Sequence, residues 1–196
     1  MNYIWAVVLG YLTGSVSGSV IITKFIYHDD VRDHGSGNAG ATNVARTFGL
    51  GPGLVTFVCD FLKCVLAGVI GRKLGGEWGL LAGTAACLIG HCYPVYFGFR
   101  GGKAVSTGAC VAAIIDWRLF LIVLVIFLLT ALMTKIVSVS SMAAALALMT
   151  AVFFVTQSLP LRLLGVFTGI LVLFMHRSNM KRLMKGEEKK FSLGHR

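Results

Sequence analysis

The chain of 196 residues is 56% hydrophobic and only 13% charged, with a mean hydropathy of +0.80. These values lie outside the range of soluble domains and predict an all-α, polytopic membrane bundle, organised as a single domain over residues 1–196. Eighteen Lys and Arg against eight Asp and Glu give a net charge of +10. Because the cations flank apolar runs, we expect membrane lipid and phosphorylated substrates as partners, and no nucleic acid.

Seven apolar runs are predicted to be helices. They fall at about 3–23, 50–71, 79–98, 104–116, 119–134, 136–158 and 161–175. The first run carries no charge, so we expect a membrane span and not a cleavable signal. The second contains Asp60 and Lys63, which we expect to pair with each other. The fourth is too short for a hydrocarbon core of about 30 Å.

The distribution of Lys and Arg predicts the topology. With seven spans and the N-terminus outside, the inside segments carry thirteen cations and the outside segments four. A five-span arrangement would leave Arg118 and Arg162 in the hydrocarbon, so we favour seven. Either odd number places the C-terminus and three polar clusters on the cytoplasmic side of the membrane.

The first polar cluster is G-S-G-N-A-G-A-T-N-V-A-R, residues 35–46. Its G-x-G-x-x-G string follows a membrane run and not a strand, which excludes a dinucleotide-binding fold. Glycine-rich backbone can turn its amides inward to form an anion nest, and Arg46 adds a bidentate donor. The alternative is a glycine-rich turn between helices. The predicted phosphate ligands are Gly35, Ser36, Gly37, Asn38, Thr42 and Asn43.

The second cluster is F-R-G-G-K-A-V-S-T-G, residues 99–108, and it precedes an apolar helix. Free amides at a helix N-terminus attract anions, and a lysine strengthens that attraction. We therefore predict phosphate binding by Gly101, Gly102 and Thr107, with Lys103 as the neutralising cation. The alternative is a basic interfacial loop.

The third cluster is H-R-S-N-M-K-R, residues 176–182, at the end of the last apolar run. On a helix Asn179 lies one turn after His176, on roughly the same face. His176 is predicted to orient or to deprotonate a hydroxyl group. His91, Ser138 and Ser141 are further residues expected to line the pocket.

Several kinds of site are missing from the sequence. None of the five cysteines forms a C-x-x-C pair, and no G-x-S-x-G elbow occurs. There is also no carboxylate-rich motif of the kind that binds Mg²⁺. We therefore expect no metal, no cofactor and no covalent serine intermediate.

Together the three clusters resemble the bacterial acyl-phosphate:glycerol-3-phosphate acyltransferases, the PlsY family. That family's pattern is approximately G-S-G-N-x-G-A-T-N-x-x-R, then G-H-x-x-P-x-x-x-x-F-x-G-G-K-G-V-A-T, then H-R-x-N-I-x-R-L-x-x-G-x-E. This chain has GSGNAGATNVAR, GHCYPVYFGFRGGKAVST and HRSNMKRLMKGEE. It departs from the pattern at Ala104, Ser106 and Met180, and the first of these replaces a glycine.

The resemblance implies a multi-pass enzyme of the bacterial cytoplasmic (inner) membrane that works at its cytoplasmic face. It would transfer a fatty acyl group from acyl-phosphate to glycerol 3-phosphate, giving 1-acylglycerol 3-phosphate (lysophosphatidate) and phosphate in phospholipid biosynthesis. The peripheral enzyme that makes acyl-phosphate is an implied partner. The residues expected to carry the reaction are Arg46, Lys103, His176 and Asn179.

A transporter or channel for small organic phosphates is the alternative function. It shares cationic clusters and glycine-broken helices. It does not explain three clusters on one side, because a translocation site should lie near the midplane. Release of inorganic phosphate by purified protein needs no second compartment and separates the two functions.

The predicted topology can be tested by cysteine-accessibility labelling in oriented membranes. Cysteines at positions 37, 101 and 186 should all be labelled from the same face, because the cation distribution places all three inside. Labelling of position 101 from the opposite face would contradict the arrangement of the three clusters.

Overall fold

The computed structural model describes residues 3–191, and this part of the chain is helical with no β-strand. It forms two compact units, residues 3–107 and 108–191. The helices are α1 (Tyr3–Ser15), α2 (Gly18–Ile26), α3 (Ala41–Phe48), α4 (Leu50–Cys92), α5 (Val105–Ile115), α6 (Trp117–Thr134), α7 (Val137–Val155), α8 (Leu159–Met175) and α9 (Arg177–Met184).

Helix α4 is a hairpin of two arms, residues 50–74 and 77–92. The backbone leaves the helical region at Gly75 and Gly76, and Gly76 has a φ of +60° that favours glycine. Close to this bend the arms meet through Gly71 and Gly79, where an added Cβ on either would run into the other's backbone. The two predicted runs at 50–71 and 79–98 are therefore two helical arms joined by a tight turn.

Small residues let α1 pack against the second arm of α4. A Cβ on Gly10 or Gly14 would collide with the backbone of Gly83 or Cys87 respectively. Such close approach of backbones is the usual way that helices associate in a membrane, where burial from water supplies little attraction. This packing fixes the end of α4, and the second polar cluster starts just beyond it.

A small apolar core anchors the first polar cluster. Val20 of α2, Val31 of a 3₁₀ turn, Ala39 and Val44 of α3 are almost completely buried together. They attach the segment between α2 and α3 to both helices. The loop that carries the cluster therefore has a defined position within the unit of residues 3–107.

The unit of residues 108–191 has its own apolar core. Ala112 of α5, Leu119 and Val123 of α6, and Ala144 and Leu148 of α7 form its centre, with Val152. Helices α7 and α8 come close where Gly165 contacts Val152. Helix α9 follows α8 at a bend of 51°, and its last turn precedes Gly186, whose φ is +70°.

All seven apolar runs coincide with helices or with arms of the α4 hairpin. By length and composition four segments are long enough to cross a membrane, or five if α8 and α9 count as one bent span. That count takes residues 50–97 as one segment and leaves out Val105–Ile115, whose 11 residues would span only about 17 Å. The fold class is confirmed, whereas the seven crossings and the orientation of the termini stay predictions.

Candidate active site

Asn43 organises the first polar cluster from inside. Its side chain is buried and donates from Nδ2 to the carbonyls of Val31, His34 and Asn38, at 3.0, 3.0 and 3.1 Å. Its Oδ1 accepts the amide of Ser36 at 3.0 Å. These four hydrogen bonds hold the segment of residues 31–43 together, so the main role of the Asn43 side chain is structural.

The structure corrects the expected role of the amides in this loop. The Ser36 amide donates to Asn43, and the Gly37 amide donates to the carbonyl of His34 at 2.9 Å. Two amides of the predicted nest are thus engaged within the protein. The side chain of Ser36 is exposed, and Thr42 is half-buried at the start of α3. Phosphate binding by the residues of this loop stays a prediction.

In the second cluster, too, amides that were predicted to bind phosphate are engaged within the protein. The amides of Gly101 and Gly102 donate to the carbonyls of Cys92 and His91, at 3.2 and 3.0 Å. They therefore satisfy the free carbonyls at the end of α4 and do not form an open amide site. A Cβ on Gly101 would collide with those carbonyls, which explains the glycine. In the labelling experiment the cysteine should therefore replace the exposed neighbour Arg100 and not Gly101.

Ala104 has a left-handed backbone with a φ of +58° and is fully buried. An alanine there costs about 1 kcal/mol relative to glycine. This explains why the family's pattern has glycine at the position. Thr107, predicted to bind phosphate, is fully buried and its hydroxyl has no hydrogen-bond partner among residues 3–191. Its predicted contact with a ligand stays a prediction.

The first two clusters contact each other. The amide of Ala39 donates to the carbonyl of Gly101 at 3.3 Å, and Ser19 Oγ donates to the carbonyl of Ala39 at 2.9 Å. Arg32 joins the same two segments through Nη1, which donates to the carbonyl of Phe97 at 2.6 Å. The structure therefore brings together the two clusters of residues 3–107.

Arg32 was not predicted as a site residue, and its role is structural. Its Nε and Nη2 bind both oxygens of Asp30, at 2.9 and 2.7 Å. Hydrogen bonds from Arg32 hold the pKa of the Asp30 carboxyl well below its usual range. Because Asp30 neutralises its charge, Arg32 links the two loops through hydrogen bonds and is not an anion site.

Arg46 differs from Arg32. It lies half-buried on α3 and has no hydrogen bond or ion pair with any residue in the described part of the chain. Helix α3 begins at Gly40 without a side-chain cap. Arg46 lies in the last turn of α3, and a guanidinium without a counter-ion can bind an anion through paired hydrogen bonds. Lys103, the other predicted cation, is half-buried in the second cluster.

A buried cluster of charges lies under the second polar cluster. Lys63 Nζ is 2.8 Å from Asp60 Oδ1, which confirms the predicted pair. The same ammonium is 3.0 Å from His91 Nδ1 and donates to the carbonyl of Val16 at 2.7 Å. All three charged or titratable side chains are buried. His91, expected to line the pocket, is therefore part of this cluster.

Glu188 organises the third polar cluster, in the unit of residues 108–191. One carboxylate oxygen accepts from Asn179 Nδ2 at 2.6 Å and from Ser138 Oγ at 2.7 Å, and the other accepts from Arg182 Nε at 2.6 Å. Burial would raise the pKa of Glu188, but these three hydrogen bonds outweigh it and leave the pKa below its ordinary value. Glu188 was not predicted as a site residue, although it ends the third motif.

His176 is buried and its ring orientation is defined. Nδ1 lies 2.8 Å from the carbonyl of Val172, and a carbonyl can only accept, so Nδ1 carries a proton. In the neutral imidazole Nε2 then has the lone pair. Ser138 is tied to Glu188, whereas Ser141 donates to the carbonyl of Val137 within its own helix at 2.9 Å. Their predicted contact with a ligand stays untested.

No group of three or more His, Cys, Asp or Glu within residues 3–191 could hold a metal ion. The two clusters of residues 3–107 are instead cationic, and the unit of residues 108–191 has a buried imidazole at His176. Such groups bind phosphate and can orient a hydroxyl or accept its proton.

Glu188→Gln should loosen the third cluster, because a carboxamide cannot accept all three hydrogen bonds. Trypsin cleavage after Arg182 should accelerate about tenfold, since a hydrogen bond to a charged group contributes about 1.5–3 kcal/mol. The matched control is Glu187→Gln, an exposed neighbour. Equal cleavage rates for both variants would contradict the role of Glu188.

The same contacts predict a dependence on pH. Because the folded pKa of Glu188 is lowered, its stabilising contribution is complete above the ordinary glutamate pKa of about 4.3 and is lost as the pH falls through the folded value. Amide exchange of residues 177–191, corrected for its intrinsic pH dependence, should show this loss in the native chain and not in Glu188→Gln.

Known proteins resemble this chain along nearly its whole length. A family model described as glycerol-3-phosphate acyltransferase matches residues 4–186. A glycerol-3-phosphate acyltransferase of Finegoldia magna is 40% identical over 194 residues, which cover 97% of this chain and 98% of the relative. Another, of Listeria welshimeri, is 40% identical over 194 residues, 97% of each chain.

Two crystal structures of PlsY, an integral membrane glycerol 3-phosphate acyltransferase, have the same fold. The glycerol 3-phosphate form has a TM-score of 0.91 at 33% identity and covers 98% of this chain and 96% of that one. The lysophosphatidic acid form has a TM-score of 0.88 at 32% identity, with coverages of 98% and 97%. The chain therefore belongs to the glycerol-3-phosphate acyltransferase family.

Proposed function

We propose that this protein acylates glycerol 3-phosphate with acyl-phosphate as the donor, at the cytoplasmic face of the bacterial inner membrane. The observation that carries the proposal is the likeness to one membrane fold solved in both a glycerol 3-phosphate form and a lysophosphatidic acid form. These two ligands are the acceptor and the product of a single acyl transfer. The transporter alternative gains no support from the relatives.

Acyl-phosphate suits a chain with these residues. It is a mixed anhydride, so the hydroxyl oxygen of glycerol 3-phosphate can attack the acyl carbon while the bond to phosphate breaks. Inorganic phosphate leaves with the bonding electrons and needs no strong acid from the protein. The hydroxyl proton must pass to a base. Each substrate carries a phosphate, which accounts for two cationic, glycine-rich clusters in residues 3–107.

Arg46 and Lys103 are the cations that would neutralise the phosphates. Arg46 has no ion pair within residues 3–191, whereas Arg32 is paired with Asp30 and Lys63 with Asp60. With several loop amides engaged, phosphate binding depends on these side chains and on the amides that remain. Ser36, Asn38 and Thr42 add polar groups from the first cluster.

His176 and Asn179 would orient the acceptor hydroxyl or the reacting carbonyl. The Val172 carbonyl fixes the proton on Nδ1, so Nε2 of His176 can accept a hydrogen bond or a proton. Asn179 Nδ2 donates to Glu188 at 2.6 Å, which holds the carboxamide in a defined orientation. Whether His176 or the phosphate of the substrate takes the proton is decided by the pH experiment below.

The reaction is tested with purified protein, acyl-phosphate and glycerol 3-phosphate. We expect lysophosphatidate and inorganic phosphate in equal amounts, with full activity in excess EDTA, because the clusters lack a group of metal ligands. The peripheral enzyme that makes acyl-phosphate can supply the donor in a coupled assay. A requirement for Mg²⁺, or efficient use of acyl-CoA, would contradict the proposed donor and mechanism.

Arg46→Ala and Lys103→Ala should each lower kcat/KM by at least about tenfold while the protein stays folded. A buried hydrogen bond to a charged group contributes about 1.5–3 kcal/mol, and about 1.4 kcal/mol corresponds to a factor of ten. Lys73→Ala is the control, since this exposed cation lies at the far end of an α4 arm that rises about 37 Å. A change of less than threefold for both test variants would exclude their role.

The pH profile of kcat distinguishes the two bases. A general base contributes about 10²–10⁴-fold, and an orienting hydrogen bond contributes less. We expect His176→Ala to lose activity without removing a limb near the ordinary histidine pKa of about 6.5, because the phosphate dianion of the acceptor assists deprotonation. His28→Asn, at an exposed histidine, is the control. A limb that vanishes together with most of the activity would make His176 the base.

A further inference from the structure

The ammonium of Lys63 has an unusual set of partners for a membrane helix. It lies within 3.0 Å of three atoms, namely Val16 O at 2.7 Å, Asp60 Oδ1 at 2.8 Å and His91 Nδ1 at 3.0 Å. Two of these contacts, to the Val16 carbonyl and to His91 Nδ1, are hydrogen bonds that the ammonium can donate, and Asp60 lies beside it as the counter-ion. The proposed reaction uses none of these side chains, although burying them in hydrocarbon is costly.

Each partner of Lys63 belongs to a different part of the unit. Val16 lies in the break between α1 and α2, where a carbonyl is released from helical bonding. Asp60 lies on the first arm of α4, and His91 lies at the end of the second arm. The ammonium therefore ties the start of α2 and both arms of α4 to one point.

The contact with Lys63 also fixes the tautomer of His91. A lysine ammonium can only donate, so Nδ1 accepts and the ring proton resides on Nε2. The ring is neutral in this arrangement, with Asp60 as the counter-ion of Lys63. Neither oxygen of Asp60 has a well-directed hydrogen bond within residues 3–191, so proximity of charge holds the pair.

The imidazole of His91 supports the segment of residues 99–104, which we call the glycine–lysine loop. A Cβ on Gly102 would collide with three ring atoms of His91, namely Nε2, Cε1 and Cδ2. The Gly102 amide donates to the carbonyl of the same histidine at 3.0 Å. Gly102 therefore rests directly on His91, and Lys103 is the next residue along the chain.

We propose that Lys63, with Asp60 as its counter-ion, is a positioning residue that holds the His91 ring against Gly102 and so sets the position of the glycine–lysine loop. The inference rests on the proposed function, in which Lys103 of this loop neutralises a substrate phosphate. The positioning role belongs to three buried side chains, Asp60, Lys63 and His91. They act through the loop, so their loss should weaken binding of a phosphate and leave the chemical step nearly intact.

The test variant is Asp60→Asn/Lys63→Met, because removing both charges leaves no unpaired ion in the membrane. The matched control is Asp116→Asn/Arg118→Met, an ion pair of 2.9 Å at the exposed start of α6. We expect the test variant to raise KM for one of the two phosphate substrates about tenfold or more, with kcat within about threefold of the native value. The control should leave both constants within about twofold.

A second pair of variants keeps the inference falsifiable if the charge-free variant fails to fold. Gly102→Ala should raise the same KM because its Cβ meets the ring, and His91→Ala/Gly102→Ala should recover most of that loss. An equal rise in KM for Gly102→Ala and for His91→Ala/Gly102→Ala would overturn the proposal. Native KM values in a folded Asp60→Asn/Lys63→Met variant would overturn it as well. If the native protein itself releases no phosphate from acyl-phosphate, the proposed function fails and not the positioning role.

Discussion

The architecture around both clusters of residues 3–107 depends on hydrogen bonds and ion pairs that give buried carbonyls and charges a partner inside the protein. Hydrocarbon offers no hydrogen bonds, so unpaired amides, carbonyls and charges are costly there. The carbonyls at the end of α4 accept hydrogen bonds from the amides of Gly101 and Gly102, and the freed carbonyl of Val16 accepts one from the Lys63 ammonium. The sequence suggests that the glycine-rich loops are open anion nests. Several of their amides instead donate hydrogen bonds that complete helix ends and turns.

This constraint separates cations that build the structure from cations available for a ligand. Arg32 and Lys63 are each neutralised by an aspartate close in sequence, at 2.7 and 2.8 Å. Arg46 has no such partner within the described residues. In the unit of residues 108–191 the same logic applies to Glu188, which ties Asn179, Ser138 and Arg182 to one carboxylate. Pre-organisation of this kind lets a small chain present defined groups to a phosphorylated substrate.

Much of the fold was predictable, because membrane helices follow from long apolar runs and the pair Asp60–Lys63 follows from spacing within one helix. The family could also be recognised from three ordered motifs. The hydrogen bonds of the loop amides could not be predicted from the sequence, because their acceptors, the carbonyls of His91 and Cys92, belong to a helix end. The contact of Lys63 with His91 spans 28 positions and that of Glu188 with Ser138 spans 50, separations at which sequence pattern carries no information on pairing.

We propose that the side-chain cations Arg46 and Lys103, and not the amides of Gly101 and Gly102, contact the phosphates. Nitrogen-to-phosphorus distances measured by solid-state NMR on ¹⁵N-labelled protein, with each phosphate substrate bound in turn, test it most directly. We expect short distances from phosphorus to the Arg46 guanidinium and the Lys103 ammonium, and long distances to the amides of Gly101 and Gly102, which donate to helix carbonyls at 3.2 and 3.0 Å. Short distances to both glycine amides, with the two side chains remote, would contradict it.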